Sequence, residues 1–140
     1  MARTDALAVL IARILLSAIF IWSGWGKIAD IQGTGVYIAT SGLPSLLAWP
    51  AAIFEFIFGL FILLGIQTRW TALAFAAFCI VAALFFHLDW GERGEQINFF
   101  KNLAMAGGFL MLYAHPHNHY SIEAFWTGED EPGTASPAEN

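Results

Sequence analysis

Three times in 140 residues the chain runs for close to the thickness of a bilayer with almost no charge. A helix rises ~1.5 Å per residue and a bilayer core is ~30 Å thick, so ~20 apolar residues suffice to cross it. The first run, Leu7–Trp25, is interrupted only by Arg13. The second, Leu47–Ile66, holds Glu55, and its Pro50 falls in the first turn, where a missing N–H is harmless. The third, Trp70–His87, has no charge before its end, and the short link before it makes runs two and three an antiparallel hairpin. A fourth run, Leu103–Ala114, is only about 18 Å long as a helix, so it crosses only if it starts near Ile97. That start draws Asn98, Lys101 and Asn102 into the membrane or its boundary.

Composition agrees. Hydrophobic residues make up 58% and charged residues 12%, against about 45–50% and about 25% in soluble domains. So short a soluble chain cannot hide that much apolar surface, which excludes a soluble globular enzyme, a disordered protein and a disulfide scaffold. The net charge is −5 and no basic run exists, so nucleic acid is not expected as a partner. The single Cys79 forms no internal disulfide and offers no dithiol. The expected fold is all-α: an integral membrane four-helix bundle over residues 1–120, with the bilayer as its first partner, followed by a polar, acidic, disordered tail over 121–140. Trp22, Trp25, Trp49, Trp70 and Trp90 stand at the span borders, where tryptophan is enriched.

Four spans put both termini on one side, and the Lys/Arg balance predicts that side to be cytoplasmic once Lys27 and Lys101 are set aside as site residues. Between spans one and two, Gly33 and Gly35 are expected to break the chain before a short interfacial helix, Val36–Ser41, ended by Gly42 and Pro44. This segment reads as a lid or as an ordinary interfacial loop.

A charge at the bilayer centre costs at least ~2.5 kcal/mol on insertion scales, so intramembrane charges need partners or functions. Arg13, Ser17, Gly24 and Lys27 fall on one helical stripe that should face other helices. Glu55, too short to snorkel, is expected to pair with Arg13, Lys27 or Lys101. In span three, Ala72, Ala76, Cys79 and Ala83 form a small-residue seam that leads to His87. The candidate ligand site is thus an intramembrane polar cluster of Arg13, Lys27, Glu55, His87, Lys101 and Asn102, with Phe85, Phe86, Phe99 and Phe100 as walls. Ser17, Gly24, Gly59, Gly107 and Gly108 are the expected packing positions. His115, His117 and His119 alternate as a metal site can, but no acid or cysteine completes the set, so no metal is expected.

Taken in order, Arg13 through Lys27, Ser41–Pro44, Glu55 with Gly59, Leu64–Arg69, Phe86-His87 and Phe100–Gly108 resemble the DoxX family of small four-helix bacterial membrane proteins. The resemblance covers residues 10–115 and implies an inner-membrane location. It marks Arg13, Gly24, Lys27, Glu55, Arg69, His87, Lys101 and Asn102 as motif positions. It also implies redox-linked work, since relatives include a subunit of a thiosulfate:quinone oxidoreductase. The sequence shows no flavin, haem or dithiol motif, so any enzyme activity would belong to a quinone-linked complex with a redox partner protein. Three readings stay open: a quinone-binding redox component; a lipid or small-metabolite binder or transporter; and a structural assembly subunit, a homo-oligomer included.

Overall fold

The computed structural model describes residues 3–116 and 120–127, and every regular element among them is helical. Helix α1 (Arg3–Ala29) carries Asp5 in its first turn and Lys27 in its last, the placement the helix dipole favours. Helix α2 (Ile31–Thr40) follows at once. Gly33 and Gly35 therefore do not break the chain, and the connecting helix starts at Ile31 rather than Val36. The reason is the cap: the Asp30 carboxylate accepts from the Gly33 backbone N–H at 2.9 Å, which nucleates the helix early. Gly35 has a packing role instead, since a Cβ there would lie 3.3 Å from Ser45. Gly42, at φ +79°, does end the segment, and Pro44 follows.

The second span opens with a 3₁₀ turn (Ser45–Leu47). It continues as α3 (Ala48–Ile53), a π-helical stretch (Phe54–Phe58) and α4 (Gly59–Leu64). Gly65 closes it in the left-handed region at φ +71°, with Ile66 N–H donating back to Phe61 O at 2.9 Å. The remaining helices are α5 (Thr68–Phe86), α6 (Arg93–Ala114) and a single turn and a half, α7 (Ile122–Thr127).

The polarity is inside out relative to a soluble bundle. Leu15, Ile19, Val81, Leu84 and Met111 point outward, while Arg13, Ser17, Glu55, Thr68 and Thr71 are buried. Three stretches, Thr4–Ala29, Ser45–Leu64 and Thr68–Phe86, are long and apolar enough to cross a membrane. Helix α6 has the length, but Arg93, Glu95 and Lys101 load its first half with charge.

Two helix pairs make the bundle. Helix α1 runs along α3, the π stretch and α4; α5 and α6 share the most extensive interface. That interface is possible because Ala72, Ala76, Cys79 and Ala83 are fully buried small residues. Phe75 stacks on Phe109 at 4.9 Å between ring centroids. Among these elements the second span meets α5 mainly through α4. Toward the α2 end the pairs are bridged by side chains, Phe54 reaching Phe75 and Phe78 at 4.9 and 5.1 Å.

Candidate functional site

The π stretch sets the site. A π turn widens the helix locally and often marks a functional position. Here it carries Glu55, 3% exposed, against α1. Two glycines allow the approach: a Cβ on Gly24 would lie 2.5 Å from the Phe56 backbone nitrogen, and one on Gly59 would lie 3.0 Å from Ile21. Lys27, one turn past Ser23 on α1, donates to Glu55 Oε2 at 2.8 Å and to Ser23 Oγ at 2.5 Å. A lysine ammonium has three N–H groups, so one remains after both bonds.

Beside this pair lies a cavity of about 530 Å³ in the space where the helix pairs separate. Phe20, Phe54 and Phe78 form its floor; Ile38, Leu43, Leu47, Val81 and Phe86 form much of its wall. Its polar groups are Ser23, Lys27, Tyr37, Glu55, His87 and Asn102. Asn102 donates one N–H to Asn98 O at 3.0 Å, which leaves its second N–H and its carbonyl. At the α2 end Tyr37 stacks on Phe86, with centroids 5.3 Å apart and planes 17° off parallel. His87 Nδ1 meets Glu95 Oε2 at 2.5 Å. With the carboxylate accepting there, Nδ1 holds the proton and Nε2 is the nitrogen left for another partner. Tyr37 is half exposed, but desolvation on its packed side pushes its phenol above the ordinary 10.0, and the nearby Glu95 charge adds to the effect.

Four of the six expected cluster residues, Lys27, Glu55, His87 and Asn102, line this cavity. Arg13 does not. It sits fully buried near the other end of the bundle, about 21 Å from Lys27 along α1 by helical rise. Its Nε donates to Ile62 O at 2.9 Å and its Nη2 to Leu63 O at 2.6 Å. Both carbonyls lie at the C-terminal end of α4, the pole that attracts a cation, and Ile62 O also accepts from Gly65 N–H at 3.2 Å. Its Nη1 donates to Tyr120 O at 2.9 Å, and Glu123 N–H donates to Gly65 O at 3.3 Å. Arg13 therefore ties Tyr120, the last residue of the expected domain, to the bundle, Gly65 holds Glu123 at the start of the expected tail, and Glu55 pairs with Lys27 instead.

Lys101 is also outside the cavity. One residue from Asn102, it lies about 100° around α6 and is exposed. Of the expected aromatic walls only Phe86 lines the cavity; Phe85 is half exposed, and Phe99 and Phe100 pack with Trp90. Among the packing positions, Ser17 is buried and its Oγ donates to Ile14 O, and Gly108 faces Leu16. Gly107 faces open space. His115 is exposed on α6's end, while His117 and His119 lie outside the described residues. No metal-holding group of three His, Cys, Asp or Glu occurs among the described residues. Ser23, Tyr37, Glu95, Phe20, Phe54 and Phe78 escaped sequence reasoning. Only Ser23 left a signal, its i, i+4 spacing to Lys27.

The DoxX family model matches residues 8–88, more than half of the chain. The chain belongs to the DoxX family. The matched region holds Arg13, Lys27, Glu55 and His87, and stops before α6. Inner membrane protein YqjF of Escherichia coli (strain K12) is 40% identical over 123 residues, 88% of this DoxX chain and 95% of the relative. Inner membrane protein YphA of the same strain is 37% identical over 111 residues, 74% of the chain and 79% of the relative. A Bacillus subtilis (strain 168) protein named "Putative oxidoreductase CatD" is 30% identical over 84 residues, 60% of the chain and 63% of the relative. No solved structure gives a significant match.

Proposed function

We propose that this DoxX protein is a redox-linked inner-membrane component whose cavity holds a quinone-like carbonyl compound for a partner oxidoreductase. The observation that carries the reading is the free Lys27 N–H beside an apolar cavity of about 530 Å³. That volume is in the range of small-molecule sites, which are mostly apolar with a few placed polar groups. A ring carbonyl accepts from Lys27, while Asn102 serves the ring's opposite edge. Phe54, Phe78 and Phe86 offer the faces that a flat ring packs against. The buried Glu55 holds the ammonium in place, and His87, oriented by Glu95, offers Nε2 at the α2 end. The partner supplies or takes the electrons; this chain binds and positions.

The names of the two Escherichia coli relatives support an inner-membrane location, and that of the Bacillus subtilis relative supports the redox link. Helix α6, 22 residues and about 33 Å long, is the fourth span in this proposal, with both termini cytoplasmic. A competing reading, an assembly subunit, is favoured by the fact that the Lys27–Glu55 pair is already closed on itself.

Calorimetric titration of the detergent-purified protein with a decyl-substituted benzoquinone decides between them. Saturable binding that Lys27→Met abolishes is the expected result. Absence of saturable binding to the wild-type protein refutes the quinone reading and leaves the assembly role.

A further inference from the structure

We propose that the cavity is reached sideways from the bilayer, through the gap between the start of the second span and α5. Its ligand is then a membrane-dissolved amphiphile, with one polar ring at Lys27 and an apolar tail leaving between Leu47 and Val81. This rests on the pocket reading above and specifies the class of molecule the pocket takes.

Three observations lead there. First, the two helix pairs are joined through α4 and α5 at one end, while α3 packs mainly on α1 and α2, so the gap lies between α3 and α5. Second, Leu47 and Val81 both line the cavity and are 42% and 50% exposed. A residue that faces a cavity and the outside together marks an opening. Both side chains are aliphatic, and Val81 stands five residues before the end of α5, about 8 Å inside by helical rise. The opening therefore faces hydrocarbon rather than water. Third, the α2 end of the cavity carries a cover. Helix α2 lies over the end of the cavity, with Tyr37 stacked on Phe86. The His87–Glu95 contact ties the end of α5 to α6, and on the α1 side the half-exposed lining residue is Ile19, again aliphatic, so that edge too faces hydrocarbon.

The polarity of the lining gives the ligand its direction. Lys27, Ser23 and Glu55 stand on α1 and the π stretch, across the cavity from Val81. A polar ring drawn to the ammonium places whatever it carries toward the aliphatic gap. A tail there contacts lipid on one side and protein on the other and has no dehydration cost.

The experiment compares two probes, a tail-less dimethoxy-methyl-benzoquinone and the same ring with a decyl tail, on the full chain in lipid nanodiscs. Leu47→Trp and Val81→Trp narrow the gap. Each should weaken the decyl probe about tenfold more than the tail-less one, the equivalent of about two tail methylenes losing their contacts. Leu47→Ala and Val81→Ala widen it and should speed release of the decyl probe several-fold, which keeps the test decisive if a tryptophan variant does not fold. Equal effects on both probes, or unchanged decyl release in the alanine variants, overturn lateral access and leave the pocket reading standing. Failure of both probes to bind the wild-type protein overturns both.

Discussion

The Lys27–Glu55 pair makes an asymmetric prediction. The Glu55 side chain is 4% exposed and that of Lys27 26%. Lys27→Met strands a carboxylate against α1 with no cation, and breaking a buried pair this way costs about 3–5 kcal/mol. Glu55→Leu strands an ammonium that keeps its Ser23 bond and borders the cavity, so its cost is that of one charged hydrogen bond, about 1.5–3 kcal/mol. The double variant replaces the pair by two apolar side chains, which is often neutral in buried sites. Its cost should therefore fall below the sum of the singles by at least ~2 kcal/mol. Glu55→Gln, which still accepts from Lys27, should lie between Glu55→Leu and wild type. Reversible unfolding in mixed dodecyl maltoside and SDS micelles measures all four. Equal single costs that add to within ~0.5 kcal/mol in the double variant would show that the two groups are energetically independent and refute this account of the site.

The glycines separate by geometry. Gly24→Ala pushes a methyl into the Phe56 backbone and should cost about 1–3 kcal/mol, whereas Gly107→Ala enters open space and should be neutral or gain up to ~1 kcal/mol in the same unfolding assay. Truncation after Thr127 should leave the melting temperature unchanged. Truncation after Pro116 removes the Tyr120 carbonyl and should lower it, and adding Arg13→Met should lower it further, because the bonds to Ile62 O and Leu63 O are then lost as well. Tyr37 should titrate above 10.0, since burial and the Glu95 charge favour its neutral form. A raised folded-state value means that the tyrosine's contribution is whole below its ordinary value and is lost as pH rises through the folded one. Phenolate absorbance should therefore rise late, and Tyr37→Phe should remove that late component.

Much of the membrane architecture was legible because hydropathy is additive along a chain. Runs of ~20 apolar residues declare spans without knowledge of their neighbours. The stripe from Arg13 through Ser17 and Gly24 to Lys27 was legible for a related reason, since a helix converts spacing into a face. The same rule found the Ala72–Ala83 seam that lets α5 lie against α6. Glu55 announced itself by chemistry alone, as a short acid inside an apolar run.

The choice of partner was not legible. Arg13, Lys27 and Lys101 all stood as candidate cations for Glu55 in the sequence, and only the packing of the spans chose among them. The π stretch rotates Glu55 onto α1 near Lys27, and no propensity or periodicity marks a π turn in advance. Arg13 found backbone carbonyls instead of an acid, because Gly65 ends α4 beside it and leaves the last-turn carbonyls, at the negative pole of the helix, open to a cation. Sequence grouped Lys27, Glu55, His87 and Asn102 as one polar cluster but could not assemble the cavity around them. Tyr37, Phe54, Phe78, His87 and Asn102 come from five separate elements or junctions, and only the divergence of two helix pairs joined at one end brings them around a common space. One-dimensional spacing reports which face of a helix a residue occupies; which faces meet, and where they fail to meet, is decided by packing alone.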